Sequence, residues 1–105
     1  MNESEFNELA DLVMARIESA LESCDADLDW STLEGGVLEI EFGDGSKIVV
    51  NRHAANREIW VAARSGGFHF RWDGALWRDT RDSTELMFAL SQAVSRQAGE
   101  PVSLG

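Results

Sequence analysis

Two stretches of helical hydrophobic periodicity stand at opposite ends of this chain, and between them the pattern alternates. From about residue 4 to 24, Phe6, Leu9, Ala10, Val13, Ile17, Ala20, Leu21 and Cys24 recur at a spacing that keeps one face inward. From Ser83 to Gln97, Leu86, Ala89, Leu90, Ala93 and Val94 do the same. The middle holds short β-type runs separated by glycine turns: Leu38, Ile40 and Phe42 alternating with Glu39 and Glu41, then Lys47–Asn51, Ile59–Arg64, Phe68–Trp72 and Leu76–Arg78. Gly43-Asp44-Gly45-Ser46, Ser65-Gly66-Gly67 and Asp73-Gly74 supply the turns. Leu28–Leu33 is a further strand candidate whose register stays open, because either alternation turns an acid or a hydroxyl inward. The order α-β-β-β-β-β-β-α predicts an α+β two-layer sandwich, with two helices on one face of a five- to six-stranded antiparallel sheet.

The helix ends carry their own signals. Asn2 or Ser4 is placed to start the first helix, with Glu3 and Glu5 at its positive end. Asp82 or Ser83 is expected to cap the second, with Glu85 at the third position of a capping box, and Gly99 and Pro101 stop it. A length of 105 residues suits one domain, 1–105, with one core.

Charge is distributed unevenly. Thirteen of the 19 acids but one of the nine bases, Arg16, precede Gly45, so the formal charge divides as −12 before it and +2 from it onward. With a net charge of −10, nucleic acid is excluded as a partner, and cations or basic protein surfaces are favoured. No apolar run approaches the roughly 18 residues of a membrane span, so no membrane partner is expected. The acidic opening is expected to be neither a signal nor a transit peptide. A lone cysteine, Cys24, allows no internal disulfide and fits a reducing cytoplasm; it is expected to be buried at the end of the helix 1 stripe.

Asp11, Glu18 and Glu22 project opposite that stripe, within an arc of roughly 40°. Glu18 and Glu22 form a like-charge pair one turn apart, and Glu22 and Asp25 fall where the helix dipole disfavours anions by roughly 0.3–1 kcal/mol each. Asp27 and Asp29 follow. Exposed carboxylates are hard donors, suited to Ca²⁺, Mg²⁺, Mn²⁺ or Fe²⁺, and no spacing here resembles a preformed cage. A solvated face that only confers solubility is the competing reading. Among the four tryptophans, Trp60 falls on the open sheet face if Ile59 and Val61 point inward, near Asn51 and Arg64, where it is either a contact anchor or covered by a loop. His53, near a turn, and His69, on the outer face with Arg71, read as structural. Nothing assembles a catalytic constellation, so the chain is not expected to be an enzyme.

Gly45-Ser46-Lys47-Ile48-Val49-Val50-Asn51, Ile59-Trp60-Val61-Ala62-Ala63 and Gly66-Gly67-Phe68-His69-Phe70 resemble the signature of the frataxin family. Met1–Asp11 and Gln97-Ala98-Gly99-Glu100-Pro101-Val102-Ser103 are similar to its short bacterial members, so the resemblance covers the whole chain. It implies a cytoplasmic protein that binds Fe²⁺ and Fe³⁺ weakly and exchangeably. It implies docking on a cysteine desulfurase and its iron–sulfur scaffold protein, to regulate cluster assembly or supply iron to it. By position, the implied metal residues are Asp11, Glu18, Glu22, Asp25, Asp27 and Asp29, with Glu3 outlying; the implied partner residues are Asn51, Trp60 and Arg64. Ser19 and Ser23 replace acids common among bacterial members, which thins the ridge, and His53 replaces a common amide. A monomer is expected. The alternatives are an oligomeric ferroxidase or iron store, and a metal-free charge mimic that blocks a basic surface.

Overall fold

The computed structural model describes residues 1–104. Helix α1 (Glu3–Glu22) leads into six strands, β1 (Leu28–Leu33), β2 (Val37–Phe42), β3 (Lys47–His53), β4 (Glu58–Ala63), β5 (Gly66–Trp72) and β6 (Trp77–Asp79), and helix α2 (Leu86–Ala98) closes the chain. Every strand pairs antiparallel with its neighbour in sequence, so the sheet order is β1-β2-β3-β4-β5-β6. A meander of this kind arises because each connection is only two to four residues long, the one between β3 and β4 including a 3-10 turn at Ala54–Asn56, which leaves no length for a crossover. The expected two-layer α+β sandwich is the fold observed.

One face of the sheet is apolar and carries both helices. Leu38, Ile40, Ile48, Val50, Ile59, Val61 and Phe70 meet Phe6, Ala10, Val13 and Ile17 of α1 and Leu86, Leu90 and Val94 of α2 in a single buried core. Leu28 and Trp30 of β1 face the same layer, opposite Phe42 and Ile40, which fixes the register that the alternation left open. Trp77 is buried against Phe6, while Trp30 and Trp72 pack half-buried at the core margin.

The helix ends depart from expectation in informative ways. Asn2 caps α1 in a reciprocal box, its Oδ1 accepting from Glu5 N at 2.8 Å and Glu5 Oε1 accepting from Asn2 N. Helix α1 stops at Glu22, two residues short of the apolar pattern. Cys24 therefore leaves the helix and is half-buried, its Sγ accepting from Ala26 N. In α2, Glu85 is itself the cap, accepting from Met87 N and Phe88 N, and not the third residue of a box. Asp82 is unable to serve because its carboxylate turns to Thr84 N, Ser83 takes a left-handed backbone, and Glu85 bridges Arg78 at the sheet edge.

Beyond α2 the tail folds back over the helix. Ser95 Oγ bonds both Val102 O and Val102 N, Ser91 Oγ accepts from Leu104 N, and Leu104 is buried.

Candidate functional site: an acidic margin and an open sheet face

The acids expected to form a ridge follow α1 into β1, and the structure separates them into three situations. Glu3 lies in the first turn, roughly 28 Å of helix away from Glu22. Asp11 is engaged: Arg52, at the end of β3, crosses to it and donates from an Nη nitrogen at 2.7 Å. Arg52 itself is mostly buried, and its chain packs so closely on Gly36 that a Cβ there would stand 2.8 Å from Nε. Glu18, Glu22, Asp25, Asp27 and Asp29 have no basic group within 4.0 Å among the described residues. These five run from the last turn of α1 through the connecting loop into β1.

Two local features set the spacing at that corner. Asp27 lies against the β2–β3 turn, its Oδ2 2.9 Å from where a Cβ on Gly43 would be, so the carboxylate occupies room that only glycine leaves. Asp29 stands directly opposite Glu41 of β2, a like-charge cross-strand pair that disfavours the sheet. Glu41 belongs to this margin although alternation marks it only as part of a polar strand face; the pairing of β1 with β2 brings it beside Asp29. Lys47 moderates the repulsion. It bridges Glu39 at 3.1 Å, and Glu39 first, then Glu41, hold its ammonium above the ordinary range.

Taken together, the margin is a row of oxygen donors, exposed at Glu22, Asp25, Asp27 and Asp29 and half-buried at Glu18. Among the described residues, no three Asp, Glu, His or Cys side chains converge as a metal cage. The donor set fits a hard cation held by one or two carboxylates and water, open to exchange.

The other half of the site is the sheet face that no helix covers. Ile59 and Val61 point inward, so Trp60 stands on the open face, with Asn51 as its partner on β3 and His69 as its partner on β5. The indole lies between two imidazoles: His53 stacks at 3.9 Å and 7°, His69 at 4.4 Å and 10°. Its Nε1 donates to Glu58 Oε1 at 2.8 Å, and Arg71 donates to Glu58 Oε2 at 2.6 Å. Glu58 is only 4% exposed although it belongs to the open face. Burial works to raise its pKa, but the bonds from Trp60 and Arg71 outweigh burial and hold it below the ordinary glutamate value. Trp60 stands out in the sequence and its frame does not, because Glu58, His53 and His69 become neighbours only through strand register.

Arg64 is placed elsewhere. It follows the end of β4, roughly 13 Å along the strand from Trp60, and bonds Asp44 at 2.6 Å while its backbone N donates to Gln97. Asn51 and Trp60 are thus together, and Arg64 marks a separate corner.

A family model of the frataxin-like domain matches residues 1–100. This chain belongs to the frataxin-like family. Its relatives include an iron-sulfur cluster assembly protein CyaY from Dechloromonas aromatica, 66% identical over 104 residues and covering 99% of each chain. Another, from Cupriavidus necator, carries the same name and is 50% identical, covering 100% of this chain and 97% of its own. Among solved structures, frataxin from Psychromonas ingrahamii superposes with a TM-score of 0.90 at 32% identity, covering 100% of this chain and 99% of that one. The trimeric yeast frataxin complexed with ferrous iron shares the fold, with a TM-score of 0.68 at 23% identity over 91% of this chain and 87% of its own.

Proposed function

We propose that this chain is an iron-binding adaptor of cytoplasmic iron–sulfur cluster assembly. It docks on a cysteine desulfurase and its scaffold protein, and it regulates the assembly or supplies iron to it. The observation that carries this reading is the run of unpaired carboxylates, Glu18, Glu22, Asp25, Asp27 and Asp29, in a chain whose 66% identical relative is named for that assembly. A fold that pairs six of its nine bases with acids elsewhere leaves this run free, at a helix end where anions are disfavoured.

The chemistry follows from the donors. Iron is cargo or signal here, bound by exposed carboxylates and water, so it exchanges readily. The same carboxylates attract a basic surface of the desulfurase, and iron on them lowers the charge available for that attraction. Asn51 and Trp60 extend the contact across the sheet face, and Arg64, tied to Asp44, is left to the corner beyond it. The acting unit is a monomer, with iron-dependent oligomers as the alternative.

The same reading makes the chain a binding protein and not an enzyme. Its acids form an open row, whereas di-iron oxidation sites join carboxylates to histidine on facing helices. Replacing Glu18, Glu22, Asp25 and Asp27 by their amides tests the proposal: iron and desulfurase affinity should both fall. Affinity that both partners retain would overturn it, and accelerated Fe²⁺ oxidation by the native protein would revive the ferroxidase reading.

A further inference from the structure

An exposed tryptophan ordinarily offers a partner three things: two π faces for stacking, an N–H donor and a ring edge. In this chain two of the three are consumed internally. His53 and His69 lie parallel to the indole at 3.9 and 4.4 Å, at the separation of stacked rings, and cover both faces. The N–H is held by Glu58 at 2.8 Å, and Glu58 is fixed in turn by Arg71 at 2.6 Å. Trp60 nevertheless remains half-buried and not buried, so what solvent reaches is the edge of its ring.

We infer that Glu58, His53 and His69 are positioning residues that make Trp60 an edge-only anchor, so that its partner presents an apolar slot and not a stacking plate or a hydrogen-bond acceptor. This rests on the docking role proposed above and adds the chemistry of the contact. A carboxylate is the right holder for the N–H because a charged acceptor makes a stronger bond than a neutral one. Its burial raises the cost of leaving it unpaired, so a partner's acceptor has little to offer the N–H in exchange. Two flat rings at fixed cross-strand positions restrict indole rotation, and an anchor ordered before binding loses less entropy on docking. Apolar residues stand on the same face beyond Asn51: Val37 and Leu33 continue the cross-strand row, and Leu33 is 49% exposed. Ring edge and row together fit an apolar slot of the partner walled by aliphatic side chains.

The test has one arm in the free protein and one in the complex. In the free protein, exchange of the Trp60 indole proton with water should be slowed by Glu58. Glu58→Leu should accelerate it at least about ten-fold, as loss of a hydrogen bond to a charged acceptor implies. His53→Phe and His69→Phe, which keep a ring on each face, should leave exchange slow, whereas the double alanine variant should not. An exchange rate unchanged by Glu58→Leu overturns the inference without reference to any partner. In the complex with desulfurase and scaffold, the ring-edge carbon–proton signals of Trp60 should shift while the indole N–H and both imidazole signals hold still. Shifts of the N–H or of the imidazoles overturn edge-only contact. Binding that moves no Trp60 signal overturns the docking role of this face instead.

Discussion

Arg52 and Asp11 join the sheet to α1: a guanidinium at the end of β3 donates across 2.7 Å to a carboxylate on the helix surface. Asp11 is 71% exposed and Arg52 only 19% exposed in their side chains, so the arginine is the structural member of the pair. Asp11 thereby commits one carboxylate oxygen to Arg52, although its helix face is that of Glu18 and Glu22.

Asp11→Asn should cost no more than about 1 kcal/mol in denaturant unfolding, the range of solvent-screened pairs, and should leave iron affinity nearly unchanged. Arg52→Ala should cost more, because its aliphatic stem packs against Gly36. Gly36→Ala should mimic part of that loss: Gly36 has a φ of +74°, and its new Cβ would crowd Arg52 Nε. Parallel urea melts of the three variants check the order.

Glu22→Lys should stabilise the fold by roughly 0.3–1 kcal/mol while weakening iron and desulfurase binding. The lysine would suit the negative end of α1, which now has no base in its last turn. Stability and function moving in opposite directions is the signature of acids retained for binding. Calorimetric titration beside thermal unfolding reads both quantities.

The buried carboxylate of Glu58 predicts a specific acid sensitivity. Its folded pKa lies below the ordinary value of 4.5, so its contribution is fully present above that pH and is lost as pH falls through the folded value. Glu58→Gln should therefore flatten the acid limb of stability below about pH 4.5. The check is urea unfolding of both proteins at a series of pH values through that limb.

Leu104→Ala should destabilise by about 2–3 kcal/mol, the lower part of the range for a buried leucine, since it is carried on the C-terminal tail and not on a helix or strand. Ser91→Ala should reproduce part of the loss by removing the acceptor for Leu104 N. Thermal unfolding of both variants measures this.

What the sequence made legible was periodic. The 3.6-residue stripe of α1, the alternation in β2 and the glycine turns were sufficient for the layers and the strand order, because each is a local pattern. The acids from Glu18 to Asp29 were legible too, since they are close in sequence. The engagement of Asp11 was not, because Arg52 lies 41 residues away and reaches it only after β3 packs beneath α1. Glu41 opposite Asp29, and the frame of Glu58, His53 and His69 around Trp60, likewise depend on strand register, which a single sequence specifies weakly. The α2 cap shifted to Glu85 because pairing at the β6 edge competed with the local capping signal.

An amide NMR titration with Fe²⁺, followed by one with the desulfurase, tests the proposal that one acidic surface serves both. Overlapping footprints on residues 18–29 and Glu41 are expected, with iron weakening the desulfurase response. Two separate footprints, or a desulfurase response indifferent to iron, would contradict it.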